Sequence, residues 1–191
     1  MTILRRCRHP HQSGGKPVER HEGVLVIVAK FLSESLDTNP YASAATMRAL
    51  DQAVRNTLSG DLTQLASRWR ALYQDTSAKI PLPSREHPFP DRGLLDQAKA
   101  LKAVADQLSQ LASQATALEA PSNDRVYNRI RKNDVLLETL IEIDRNLALT
   151  ARQMEEQRES LDADNLKEIR TNMHQLEALM GERRRLLAPI P

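Results

Sequence analysis

Cys7, His9 and His11 alternate along the chain, with His21 further on, so an extended backbone would turn a thiolate and two imidazoles to one side. That is the donor chemistry of a zinc or other transition-metal site. A structural zinc site needs a second ligand pair at finger spacing and a folded frame, and the sequence offers neither. Cys7 as a nucleophile would need a base held rigidly against it. Its neighbours Arg5, Arg6, Arg8, Pro10, Ser13, Gly14 and Gly15 instead describe a flexible basic arm over residues 1–22. In a helical bundle, Glu-x-x-His pairs place two ligands on one face; the residue three before His174 is Thr171, so His174 reads as a surface histidine. Glu138, Glu142, Glu155, Glu156 and Glu159 alternate with Arg145, Arg152 and Arg158, the mixed charge of a solvated helix face. No phosphate-binding glycine loop, Gly-x-Ser-x-Gly elbow or His-Glu-x-x-His pair occurs. The expectation is a protein without catalytic residues, metal, cofactor or small-molecule substrate.

The elements that would carry any site are helices. Aromatic residues make up 3% of the 191-residue chain while hydrophobic residues reach 40%, so the core must be built from Leu, Ala, Ile, Val and Met. That palette suits helix–helix packing and disfavours a sandwich or barrel. Cys7 is the only cysteine, which excludes an intramolecular disulfide and fits a reducing compartment. No apolar run approaches a membrane span. Val24–Leu32 behind the basic arm has the outline of a signal peptide, but Lys30 interrupts it and Glu34 and Asp37 fall in its cleavage region. Cytoplasm is expected, with a place on the inner face of a membrane as the alternative.

Residues 23–79 read as a small helical domain. Leu25, Val28, Leu32 and Leu36, with Phe31 alongside, give a first helix with a wide apolar face. Asn39-Pro40 then caps and opens a second helix bearing Met47, Leu50, Val54 and Leu58, which Ser59-Gly60 closes. Asp61 and Gln64 start a third, carrying Leu62, Leu65, Trp69, Leu72 and Tyr73. Pro81, Pro83, Pro88 and Pro90 mark residues 80–92 as a stiff linker.

Beyond it the beat becomes seven. Leu94, Leu101, Leu108 and Ala115 form one column and Gln97, Val104, Leu111 and Leu118 another; Val126, Asn133, Leu140, Leu147, Met154 and Leu161 follow, with Leu136, Ile143 and Thr150; then Leu166, Met173, Met180 and Leu187 with Ile169 and Leu176. The reading is an all-α fold in which residues 93–188 form an elongated antiparallel three-helix coiled-coil bundle, with helices over 94–119, 124–160 and 163–187. The middle helix would exceed its neighbours by roughly ten residues, about 15 Å at 1.5 Å per residue, leaving the end around Met154–Asn165 projecting as a contact surface. Asn133 either sits in the seam and sets its register, or the seam shifts locally to Ile130 and Leu137 and leaves Asn133 near the surface. Arg183-Arg184-Arg185 reads as a set of cations at a helix C-terminus.

Heptads through three helices point to a non-enzymatic interaction or scaffold protein, an adaptor or assembly subunit whose partners are other proteins or a second copy of itself. Met154, Leu161, Trp69 and Phe31 are the expected contact residues. The alternative is a peripheral membrane protein, with Arg5, Arg6 and Arg8 meeting anionic headgroups and helix 24–36 inserting shallowly. The same arginines could meet nucleic-acid phosphate, but a net charge of +2 and few aromatics argue against nucleic acid.

Overall fold

The computed structural model of the protein describes residues 40–82, 84–85, 89, 91–118, 121, 123–156 and 163–188. Among them the chain is all-α, with five helices and no strand: α1 Ala44–Ala78, α2 Arg92–Thr116, α3 Asp124–Arg131, α4 Asp134–Glu156 and α5 Ala163–Leu187. No helix among the described residues is long and apolar enough to cross a membrane.

α1 begins at Ala44 rather than at Pro40 because Ser43 and Thr46 satisfy each other's backbone. The Ser43 hydroxyl accepts from the Thr46 amide at 3.1 Å and the Thr46 hydroxyl accepts from the Ser43 amide at 3.0 Å. This reciprocal cap settles two of the donors that a helix start leaves over. The stop expected at Ser59-Gly60 does not occur, and α1 runs through it for 35 residues. A glycine inside a helix costs about 1 kcal/mol. The buried stripe Leu50, Val54, Leu58, Leu62, Leu65 and Trp69 continues in phase across Gly60 and outweighs that cost.

The single helix expected over 124–160 is broken instead. α3 ends at Arg131 with Lys132 as its C-cap, and Asn133 caps the start of α4, accepting from the Leu136 amide through its side chain at 3.2 Å. Asn133 is exposed. It is therefore a helix cap outside any seam, not a buried register-setting residue.

α2, α4 and α5 do not pack only on one another. α2 packs chiefly against α1, and α4 against α5. The two hairpins lie side by side through α1–α4 and α2–α5 contacts, with α3 wedged against α1 and α4. α1 and α4 run in the same direction: Asp51 and Asp144 come together at one level, and Leu62 and Leu65 meet Met154 at another. Residues from all five helices join one apolar core. Residues 80–91 thus link the two arms of a hairpin whose helices share that core.

Most heptad columns face inward: Leu101, Leu108, Ala115, Val104, Leu111, Leu140, Leu147, Met154, Ile143, Ile169, Leu176, Met173 and Met180 are all buried. Gln97 is exposed. A further column in α2, made of Ala98, Ala105 and Ala112, is also buried and widens its apolar face, as a helix flanked by two neighbours requires.

Candidate functional site

The most chemically loaded place in the fold lies inside it. Asp51 and Arg55 of α1, Asp144 of α4 and Arg183 of α5 are all buried, together with Tyr41, just ahead of α1, and Tyr127 of α3. The sequence explains how they arrive there. Asp51 and Arg55 are one turn apart on the stripe of Met47, Leu50, Val54 and Leu58. Asp144 follows Ile143, between Leu140 and Leu147. Arg183 lies seven residues beyond Leu176 and fourteen beyond Ile169, in the same inward column.

Arg183 is the hub. Its Nε donates to Asp144 Oδ1 at 2.7 Å and its Nη1 pairs with Asp51 Oδ1. The other oxygens of the two carboxylates are engaged as well. Tyr41 donates its hydroxyl to Asp144 Oδ2 at 3.0 Å, Tyr127 donates to Asp51 Oδ2 at 3.3 Å, and Arg55 Nη2 donates to the same oxygen at 2.9 Å. Arg55 Nη1 continues to the Leu118 carbonyl at 2.8 Å, so the end of α2 is tied in too. Two carboxylates face two guanidinium groups, and the centre is neutral as a whole.

Burial alone would push the Arg183 pKa down. Asp144 and Asp51 outweigh that effect, and the guanidinium is held above its ordinary value. Burial, followed by the facing Asp144, raises the Tyr41 hydroxyl well above the usual tyrosine value; burial and then Asp51 do the same for Tyr127. Both phenols therefore stay protonated and serve as donors. Desolvating ions offsets much of their attraction, so such a centre adds less net stability than its number of bonds implies. It penalises any helix arrangement that leaves one partner unmatched.

Two surface features carry further polar groups. A groove of about 360 Å³ between α1 and α2 is lined by Ser59, Thr63, Ser67, Ser109, Ser113 and Thr116, with Arg70. Its hydroxyls are already engaged: Thr63, Ser67, Ser109, Ser113 and Thr116 each donate to the carbonyl one turn back, and Ser59 meets Thr116 at 2.8 Å. Between α1 and α4, Asp61 faces Glu155 beside Leu62, Leu65 and Met154. Desolvation by these apolar neighbours, and then the Glu155 charge, raise the Asp61 carboxyl to about 6.

The residues expected to form contacts are placed differently. Trp69 and Met154 are each 1% exposed and belong to the core, so neither offers a surface. Met154 packs beside Leu62 and Leu65 of α1, and the projecting end expected around it is covered there by α1. Leu161, Phe31, Arg5, Arg6, Arg8, Cys7, His9, His11 and His21 lie outside the described residues. Of the three C-terminal arginines, Arg184 and Arg185 are exposed in the last turn of α5, whereas Arg183 is the buried hub. His174 is exposed, 4.0 Å from Glu177. Among the described residues no group of three or more His, Cys, Asp or Glu is placed to hold a metal ion.

Sequence reasoning missed the exposed side chains of Leu82, Phe89 and Val135, at 88%, 85% and 71%. The signal for the first two was present: apolar residues between the prolines of 80–92, where no helical face exists to bury them. No family model matches the chain, and neither a search of curated proteins nor one of solved structures finds a match.

Proposed function

We propose that this protein is a non-enzymatic helical scaffold, an adaptor or assembly subunit that engages other proteins. The observation that carries the reading is the exposure of Leu82 and Phe89 together on the connector between α1 and α2. A single exposed leucine is ordinary. Here one of only two phenylalanines in the chain stands in solvent, on a segment that also carries Pro81, Pro83, Pro88 and Pro90. Proline-dense segments lose little conformational entropy on docking, and their apolar side chains suit aromatic-lined grooves. Behind the connector, α1 and α2 supply a base for presenting it. On this reading the heptad columns of α2, α4 and α5 act as coiled-coil seams that stiffen the scaffold, and the protein works in the cytoplasm.

The test is crosslinking mass spectrometry in cells on the full chain and on a Leu82→Ser/Phe89→Ser variant. The reading predicts crosslinks from residues 80–91 to another protein, lost in the variant while its thermal midpoint is unchanged. Identical crosslinked partners in both chains would contradict it.

A further inference from the structure

Lys132 and Asn133 interrupt what the sequence writes as one helix. No glycine or proline occurs anywhere from Asp124 to Glu156. The seven-residue beat keeps its phase across the break: Val126 leads through Asn133 to Leu140, Leu147 and Met154, and Ile130 leads to Leu137. Lys132 itself keeps right-handed helical geometry, with φ −87° and ψ −3°. Locally the break is held by little more than the Asn133 cap on the Leu136 amide and a turn bond from the Asn133 amide to the Ile130 carbonyl at 3.1 Å. The remaining restraints are tertiary. Tyr127 of α3 is bonded to Asp51, and Arg129 donates to the Leu186 carbonyl at 2.7 Å, which ties α3 to the end of α5. A continuous helix over 124–156 is thus opposed locally by the Asn133 cap and otherwise by tertiary contacts.

The ionic centre divides along the same line. Asp51 and Arg55 pair within α1 at 2.9 Å, and Asp144 and Arg183 pair between α4 and α5 at 2.7 Å. Each hairpin therefore carries its own neutral pair, and the bonds that cross between α4–α5 and α1 with its N-terminal flank are Arg183 to Asp51 and Tyr41 to Asp144. If the hairpins part, neither keeps an uncompensated charge. The face that α1 then presents is apolar around Leu58, Leu62 and Leu65, with Asp51 Oδ1, beside the Arg55 pair, and the Tyr41 hydroxyl placed to meet a guanidinium and a carboxylate at fixed positions. An α4–α5 hairpin supplies both at once, whether it comes from the same chain or from a second copy.

We propose that the α4–α5 hairpin exchanges between two copies of this chain, with α3 and α4 straightening into one helix through Lys132 and Asn133. The closed monomer and the exchanged dimer then bury the same contacts, and the choice between them turns on the hinge. This inference stands apart from the connector surface, since Leu82 and Phe89 lie outside the exchanged hairpin, and the Leu82→Ser/Phe89→Ser variant should dimerise as the parent does.

The hinge makes the proposal testable. Asp134 is the first residue of α4, where proline is tolerated, but within a straight 124–156 helix proline would remove a backbone donor and clash with the preceding turn. Full-length chains carrying Cys7→Ser, Gln64→Cys and Glu155→Cys would be refolded at low and high concentration, separated by size and treated with a short bismaleimide. Gln64 and Glu155 line the same α1–α4 pocket, so the reagent links one chain to itself in the closed form and two chains in the exchanged form. Expected results are a dimer that crosslinks between chains, a several-fold larger dimer fraction with Asn133→Ala, and loss of the dimer with Asp134→Pro at unchanged helix content. Lys132→Gly should also lower the dimer fraction, and it serves if the proline variant does not fold. The proposal is overturned if the parent and Asn133→Ala stay monomeric throughout, if the dimer crosslinks only within each chain, or if neither Asp134→Pro nor Lys132→Gly lowers its yield.

Discussion

Arg183 and Asp51, 132 residues apart in the chain, form a salt bridge in which each side chain is 3% exposed. The same guanidinium reaches Asp144, so one arginine closes α5 onto both α1 and α4. Removing one partner of a buried ion pair leaves the others uncompensated in a poorly solvated place, which typically costs 3–5 kcal/mol.

Arg183→Met is therefore expected to lower unfolding free energy by about 3–5 kcal/mol in urea titrations. Arg184→Ala and Arg185→Ala, on the exposed side of the same turn, should each stay within about 0.5 kcal/mol of the parent. Replacing Asp144 and Arg183 together by apolar residues of similar volume should recover part of the loss, because Asp51 keeps its Arg55 partner and no buried charge is left uncompensated. A double variant no more stable than Arg183→Met would contradict this account of the centre.

Part of this centre was legible in the sequence and part was not. Arg183 continues the Ile169–Leu176 column at a spacing of seven, a signal that would turn it inward; what hid it was its company, since Arg184 and Arg185 make the trio read as cations at a helix end. Asp51 and Arg55 stood on an apolar stripe, but an i,i+4 pair is also what an exposed helix face shows. Tyr41 and Tyr127 could not be read as donors, because their acceptors come from helices far away in the chain. The all-α class and the inward columns followed from local pattern. The pairing of α1 with α2 did not, because apolar stripes say that a face is buried without saying against what.

Tyr41 and Tyr127 should remain protonated in the folded protein beyond the pH at which exposed tyrosines ionise. Their folded-state pKa values lie above the ordinary tyrosine value, so the proton is held more tightly by the folded chain. That contribution to stability is complete below about pH 10 and is lost as pH rises toward the folded values. Absorbance at the tyrosinate band should therefore lag behind a denatured control and then rise together with loss of helix. Tyr41→Phe, which removes the bond to Asp144, is expected to cost about 1–2 kcal/mol at neutral pH.

Asp61 offers a pH dependence of the same sign at lower pH. Its carboxyl is raised from 3.8 to about 6 by desolvation and the nearby Glu155 charge. The folded chain therefore binds this proton more tightly than the unfolded chain, a contribution complete below pH 3.8 and lost as pH rises through 6. Asp61→Asn should raise stability at pH 7–8, and the gain should vanish below about pH 4. Its side chain is exposed, and solvent screening keeps the expected gain under about 1 kcal/mol. Urea midpoints of parent and variant across this pH range check both the sign and the window.

The unbroken course of α1 has a simple test at Gly60. A Cβ added there meets nothing within 4 Å, and the residue lies mid-helix. Gly60→Ala should stabilise the fold by about 0.5–1 kcal/mol through helix propensity and a less entropic unfolded chain. A helix that ended at Ser59-Gly60 would gain nothing from the change or would lose its stop, so a fall in the thermal midpoint would contradict the 35-residue helix.

The central claim, that Arg183 is a buried hub joining α1, α4 and α5, is tested most directly by NMR of its side-chain Nε–H. The account predicts a resolved signal that exchanges with water far more slowly than those of Arg184 and Arg185, and that loses its protection in Asp144→Asn. Exchange of the Arg183 signal as fast as that of its two exposed neighbours, unchanged by Asp144→Asn, would contradict it.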